Sequence, residues 1–78
     1  MSEGGAQIEV DARGHRCPTP TLRLRRALEQ AAPGDVVCLL ADDPLARIDV
    51  PHFLAASGHE LIASEASGTG WRFLVRRT

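Results

Sequence analysis

The sequence predicts an α+β two-layer sandwich of order βαβαββ, with two helices packed on one face of a four-stranded mixed sheet. Three observations lead to this prediction. Apolar residues in the first third recur at helical spacing, the middle holds a continuous apolar run of strand length, and two strand-like segments near the end flank a glycine-containing turn. A length of 78 residues allows one thin core, so residues 1–78 are predicted to form a single domain.

The first half of the chain predicts a strand, a helix and a second strand. Residues 1–5 are interpreted as a loose terminus, and Ile8–Asp11 alternates apolar and charged residues as a half-buried strand does. The apolar run Asp35–Ala41 is typical of a central strand, and the crossover through a helix makes the two strands parallel. The helix is predicted from Pro18 to about Ala32, ended by Pro33-Gly34, with a core stripe of Leu24, Ala27, Leu28 and Ala31.

A second helix is predicted after the central strand. Asp42-Asp43-Pro44 signals a helix start, but Pro51 argues against one uninterrupted helix. We therefore expect a turn at 44–47 and a helix from about Ile48 to Ser57, capped by Asp49 and stopped by Gly58. The residues of this helix expected to face the sheet are Phe53, Leu54 and Ala56.

The end of the chain predicts a β-hairpin. Two strands, His59–Ala66 and Trp71–Arg77, flank the turn residues Ser67–Gly70. Because side chains alternate along a strand, the last strand has two faces. One carries Trp71, Phe73 and Val75, and the other carries Arg72, Leu74 and Arg76.

Composition and charge exclude several classes of function. Apolar content of 44% and charged content of 24% fit an ordinary globular protein, and a net charge of −1 gives no overall drive toward nucleic acid. The first residues lack the apolar core of a signal peptide, and no apolar stretch is long enough to span a membrane. We therefore expect a cytoplasmic protein whose thiols stay reduced.

One stretch carries the candidate chemistry. Cys17 precedes Pro18 at the predicted start of the first helix, where the helix dipole stabilises an anion. Thiolates at helix N-termini or beside arginine have depressed pKa values, and the thiolate is the nucleophilic form. We therefore interpret Cys17 as an activated catalytic thiol. The residues expected to support it are Arg13, Gly14, Arg16, Pro18, Thr19 and Pro20.

Other readings of these residues stay open at this point. Cys17 would also suit a small buried position, since free cysteine is commonly buried. His15 beside Cys17 makes a metal site conceivable, but two ligands do not form a site and no second pair supports one. Cys38 lies inside the apolar strand run and is predicted to be core.

The first helix also carries a candidate docking surface. Five arginines and no acidic residue lie between Ala12 and Leu28. Leu22 falls nearly opposite the core stripe, next to Arg25 and Arg26. Leu22, Arg25 and Arg26 are therefore the predicted contacts for a partner protein, although an isolated exposed leucine is also ordinary.

The motifs resemble those of the TusA/SirA-like family of small sulfur-carrier proteins over nearly the whole chain from about Ile8. The resemblance rests on Asp11-x-x-Gly14-x-x-Cys17-Pro18-x-Pro20, on Pro33-Gly34-Asp35, on Ala41-Asp42-Asp43-Pro44, on Arg47-x-Asp49-x-Pro51-x-Phe53 and on Gly58-His59-Glu60-Leu61. His15 departs from the pattern, since the family often has an apolar residue there.

The resemblance implies a βαβαββ sandwich and a cysteine that carries sulfur as a persulfide, which maps onto Cys17. It implies a sulfur donor, either a cysteine desulfurase or a rhodanese-like protein, and an acceptor protein with a reactive cysteine. The sulfur would serve tRNA 2-thiouridine formation, molybdenum cofactor synthesis or sulfur oxidation. No cofactor or metal, no direct contact with nucleic acid or membrane, and a monomer are expected.

Two other functions are kept as alternatives. One is a non-catalytic regulatory module that binds RNA or protein through the arginine-rich helix, against which the near-zero net charge and the lack of aromatics in that stretch argue. The other is a thiol redox sensor, which lacks a nearby resolving cysteine in the sequence.

Overall fold

A computed structural model describes residues 7–15 and 19–78 of the protein. The elements follow the predicted order βαβαββ, as a four-stranded mixed sheet with two helices. They are β1 (Gln7–Asp11), α1 (Thr19–Gln30), β2 (Val36–Ala41), α2 (Ala46–Ser57), β3 (Glu60–Ser67) and β4 (Gly70–Arg76). The predicted loose terminus at 1–5 and the predicted helix start at Pro18 lie outside the described residues.

The strands are ordered β1-β2-β4-β3 across the sheet. The first two are parallel, with Ile8 beside Val37, as the crossover through α1 requires. Strand β4 runs antiparallel to both of its neighbours, β2 and β3. The apolar run of β2 therefore occupies a central strand, as predicted, and β1 and β3 form the two edges.

The core lies between the sheet and the two helices. From the sheet, Val37, Leu39, Phe73 and Val75 are almost completely buried. The helices contribute Leu24, Leu28, Val50 and Leu54. The predicted stripe of α1 is confirmed. The predicted shared face of Trp71, Phe73 and Val75 on β4 is the one that packs against the helices, with Trp71 and Ala27 half-buried at the margin of the core.

Helix α1 ends at Gln30, two residues before the predicted Ala32. The Asp35 carboxylate accepts a hydrogen bond from the Ala32 N–H (2.9 Å), and the Asp35 N–H donates to the Ala32 carbonyl (3.0 Å). Gly34 adopts φ 92°, a left-handed conformation that favours glycine. These local bonds replace the last helical turn.

Helix α2 begins earlier than predicted, and Asp49 is not its cap. The N-cap residue is Leu45, which makes no side-chain capping bond. The Asp43 carboxylate accepts the Leu45 N–H in the preceding turn (3.0 Å), and the Asp49 N–H donates to the Leu45 carbonyl within the helix (2.8 Å). Pro51 lies inside the helix, where it removes one backbone hydrogen bond. Burial of Ala46, Val50 and Leu54 at a four-residue spacing offsets that loss.

The prediction that Ala56 faces the sheet is also wrong, because Ala56 is exposed. The buried stripe follows Ala46, Val50 and Leu54, with Phe53 half-buried beside it. Ala56 lies about 200° around the helix from Leu54, whereas Val50 precedes Leu54 by four residues on the same face. The prediction therefore assigned the wrong neighbour to the Leu54 face and omitted Val50.

The predicted hairpin is confirmed as a tight turn between β3 and β4. Ser67 pairs with Gly70, so only Gly68 and Thr69 lie between the strands. Gly68 has φ 60°, which a two-residue turn with glycine at its first position requires. A β-bulge between Leu61 and Ala63 interrupts the register of β3.

Cys38 is buried as predicted, with 2% of its surface exposed. It lies on the face of the sheet opposite the helices, because Val37 and Leu39 beside it point into the core. The Arg72 guanidinium lies beside the Cys38 sulfur and donates a hydrogen bond to the Glu65 carboxylate (2.9 Å), and both neighbours raise the pKa of Arg72. Cys38 is therefore covered by a side chain of the sheet itself.

Candidate functional site

The predicted thiol, Cys17, lies outside the described residues together with Arg16 and Pro18. Their roles stay predictions. The structure describes both flanks of this segment, which are the loop 12–15 after β1 and the first turn of α1. These flanks fix where the chain leaves the sheet and where it enters the helix.

The loop 12–15 lies at the carboxyl ends of the parallel strands β1 and β2, the end at which α/β sheets commonly present their chemistry. Ala12 is fully buried, and its N–H donates to the Leu40 carbonyl (2.8 Å). Gly14 has φ 85°, and its N–H donates to the Asp42 carboxylate (2.9 Å) across 28 residues of sequence. Asp42 therefore ties the loop to the end of β2.

Arg13 makes an ion pair with Asp11 at the end of β1. Its Nε and Nη2 donate to the two carboxylate oxygens at 2.9 and 2.7 Å. These hydrogen bonds hold the pKa of the Asp11 carboxyl well below its ordinary value. The charge of the exposed Arg13 is therefore largely compensated by Asp11, and the ion pair fixes the direction in which the loop begins.

A close approach between β4 and the end of β2 supports Asp42. A Cβ added to Gly70 would overlap the Ala41 carbonyl oxygen and lie 2.8 Å from the Asp42 Cα. Next to Gly70, the Trp71 ring lies 5.3 Å from the Arg47 guanidinium, a cation–π distance. Asp42, Gly70 and this pair were not predicted as part of the site.

The sequence offered only partial signals for these supporting residues. The Asp42-Asp43 pair indicated a helix start; the Asp43 carboxylate accepts the Leu45 N–H in the turn before α2, and Asp42 instead accepts from Gly14. Gly70 was assigned to the hairpin turn, whereas it is the first residue of β4. Contacts that join the ends of different strands leave no periodic pattern in the sequence.

The first turn of α1 brings three small residues to the entry of the helix. Thr19 is half-buried and Pro20 is buried, so this turn is anchored to the core. The Thr21 hydroxyl oxygen is buried and, within the described residues, has no hydrogen-bond partner. His15, which ends the described loop, is exposed.

The predicted docking residues lie together on the outer surface of α1. Leu22 has 54% of its surface exposed, and Arg25 pairs with Glu29 one turn further along (3.3 Å). Arg26 is exposed and makes no ion pair within the described residues. A shallow cavity of about 450 Å³ is lined by Leu22, Arg25, Arg26, Glu29 and Gln30.

Both helices are 12 residues long, well short of the length needed to cross a bilayer. Over residues 7–15 and 19–78, the structure contains no membrane-spanning helix.

Comparisons with known proteins agree with this architecture. The fold is similar to that of a SirA-like protein from Desulfitobacterium hafniense, solved by crystallography, with a TM-score of 0.75. The two chains are 24% identical, and the similarity covers 88% of this chain and 93% of the other. The model of the family described as Sulfurtransferase TusA matches residues 8–77. This match covers most of the chain, confirms the resemblance found in the sequence, and shows that the protein belongs to the TusA family of sulfurtransferases.

Proposed function

We propose that this sulfurtransferase is a sulfur carrier, which accepts a persulfide sulfur on Cys17 and passes it to a cysteine of an acceptor protein. Membership of the TusA family supports sulfur transfer with partner proteins. The main structural support is the position of the flanks of Cys17. The loop 12–15 is tied to Asp42 beyond the carboxyl ends of β1 and β2, and α1 begins at Thr19.

The proposed reaction is an exchange at sulfur. The Cys17 thiolate attacks the outer sulfur of a cysteine persulfide on the donor protein, and a new S–S bond forms at Cys17. The S–S bond of the donor breaks, and its electron pair leaves with the donor cysteine as a thiolate. The charge and the oxidation level of the pair are unchanged, so the reaction needs no external oxidant or cofactor.

The residues around Cys17 have separate roles in this proposal. The N-terminus of α1 stabilises the thiolate and the persulfide anion through its dipole. Arg16 adds positive charge, and Pro18 and Pro20 stiffen the turn. Arg13 contributes less to stabilising the thiolate, because its guanidinium is paired with Asp11. Gly14 supplies the turn and the hydrogen bond to Asp42.

Intact-mass measurement tests the proposed function. The protein is incubated with a cysteine desulfurase and cysteine, and with a rhodanese-like donor and thiosulfate in a second series. We expect a gain of one sulfur atom that reductant removes and that peptide mapping assigns to the segment containing Cys17. The proposal is contradicted if the protein gains sulfur from neither donor, or if the added sulfur is located on Cys38.

Docking through α1 gives a separate prediction. Leu22→Asp removes an exposed apolar contact. The new carboxylate also pairs with Arg25 or Arg26, so that these arginines no longer bind the partner protein. We expect sulfur loading at low donor concentration to slow by about tenfold, the equivalent of about 1.4 kcal/mol. The measurement is the initial rate of loading by cysteine desulfurase.

The matched control for docking is Ile62→Asp. Ile62 is 40% exposed at the bulge of the opposite edge strand, β3, so it carries a similar apolar surface far along the sheet from α1. The control should load at the wild-type rate. Equal rates for Leu22→Asp and the wild type, or equal losses in the two variants, would rule out Leu22 as a specific contact.

A further inference from the structure

Within residues 7–15 and 19–78, strand β1 has one hydrogen-bonding edge that pairs with no other strand. It pairs with β2 alone among the described strands and lies at the edge of the sheet. The Ala12 N–H donates to Leu40 of β2, so alternate residues before it point toward β2 and the others point outward. The Asp11 carbonyl does point outward, because it accepts a hydrogen bond from Arg23 Nη1 (2.8 Å). The N–H and C=O of Glu9, two residues earlier, therefore also point outward.

A cleft runs between this free edge and α1. Its volume is about 250 Å³. The apolar residues of its wall, Ile8, Val10 and Ala27, are half-buried and keep some surface in contact with water. An apolar side chain bound in the cleft would therefore bury its own surface and theirs. The residues that line it are Ile8, Val10, Arg23, Arg26, Ala27 and Gln30.

The charges beside the cleft select the kind of segment that fits. Arg26 lines the cleft and makes no ion pair within the described residues. Glu9 lies on the other face of β1, because Ile8 and Val10 face the helix. A strand added to β1 would thus present alternate side chains to a basic cleft and to an acidic face.

We propose that the free edge of β1 binds an extended segment of a partner protein, which adds a short strand to the sheet. The segment carries a branched apolar residue and, two positions away, an acidic residue, both on the side of the cleft. The residue between them lies beside Glu9 and is neutral or basic. Backbone hydrogen bonds to Glu9 provide affinity, and the cleft provides specificity.

The proposed binding mode adds to the proposed function a description of one partner in the sulfur relay. It rests on the proposed function only for the identity of that partner. The cleft shares Arg26 with the Leu22–Arg25–Arg26 surface, so the two contacts are continuous. Arg23 already covers the Asp11 carbonyl, which limits the added strand to a few residues. A contact of that size suits a partner that must dissociate after each transfer.

A second copy of this chain is a poorer occupant of the same edge. If the full length of β1 paired antiparallel with β1 of another copy, Glu9 would lie directly opposite Glu9. Like charges directly opposite each other destabilise a strand pair. The partner is therefore a different protein.

Nuclear magnetic resonance titration of the ¹⁵N-labelled, reduced protein tests the proposal without any sulfur donor. The probe is the blocked pentapeptide acetyl-Thr-Ile-Thr-Asp-Thr-amide, and a second peptide carries lysine in place of aspartate. We expect binding with a Kd on the order of 1 mM. The shifts should concentrate at Gln7–Asp11 and Arg26–Ala27, and the Glu9 amide should exchange more slowly with solvent.

Three variants separate the proposed mode from other contacts. Glu9→Pro removes the outward N–H without removing a bond to β2, and edge strands tolerate proline at such positions. It should weaken peptide binding about tenfold, whereas Glu9→Gln, which keeps the N–H, should bind as the wild type does. Arg26→Gln should abolish the preference for aspartate over lysine, and it tests the proposal even if Glu9→Pro fails to fold.

The proposal is overturned if the peptide does not shift the Glu9 amide, if Glu9→Pro binds as tightly as Glu9→Gln, or if the wild type prefers the lysine peptide. A wild-type protein that gains sulfur but fails these tests would retain the proposed function and lose only this binding mode. A protein that passes them but gains no sulfur would lose only the proposed function.

Discussion

Cys17→Ser protein should gain no sulfur from a persulfide donor, while Cys38→Ala protein should gain as much as the wild type. The expected loss is complete, because a serine hydroxyl at neutral pH neither ionises nor forms a persulfide. Cys38 has 2% of its surface exposed and lies on the helix-free face of the sheet beneath Arg72, so a donor protein cannot reach it. Intact mass after incubation with a cysteine desulfurase and cysteine measures both variants.

The Cys38→Ala control also tests whether the two cysteines cooperate. A redox sensor would need Cys38 as the resolving thiol, and that variant would then change the oxidation product of Cys17. The assignment of Cys17 as the sole carrier would be contradicted if Cys17→Ser protein still gained sulfur from the donor. It would also be contradicted if folded Cys38→Ala protein gained less sulfur than the wild type. Melting curves of both variants establish that each is folded.

The element order was predictable because each element carries its own periodic signal. The stripe of Leu24 and Leu28 and the alternation of Phe73 and Val75 each depend on neighbours within one helix or strand. The start of α2 was misplaced because a proline is a strong local signal against a helix. Burial of Val50 and Leu54 outweighs the one hydrogen bond that Pro51 removes, and such burial is a property of the assembled fold.

The supports of the candidate site depend on contacts that local patterns do not reveal. The hydrogen bond from Gly14 to Asp42 spans 28 residues, and the approach of Gly70 to Asp42 spans as many. The first requires knowing that β1 lies beside β2, and the second that β4 lies on the other side of β2; both follow from the strand order and not from any single segment. The Asp11–Arg13 pair is local, but opposite charges two residues apart are too common in sequences to indicate a fixed contact.

Gly70→Ala should be the most destabilising single-methyl change near the candidate site. The added Cβ would overlap the Ala41 carbonyl and contact Asp42, and both obstacles are parts of the chain that cannot rotate away. We expect a loss of about 3 kcal/mol in the free energy of unfolding, measured by urea denaturation. Because Asp42 must move, the Gly14 N–H should lose its acceptor and exchange faster with solvent in the variant.

Gly68→Ala is the matched control, two residues earlier in the same hairpin. A Cβ on Gly68 meets nothing within 4 Å, so only its φ of 60° opposes the substitution. That strain costs roughly 1–2 kcal/mol and leaves Asp42 in place. The Gly14 amide should therefore exchange faster in Gly70→Ala alone. If both variants lose equal stability and leave that amide protected, then Gly70 supports the hairpin only, and the loop before Cys17 is positioned by something other than Asp42.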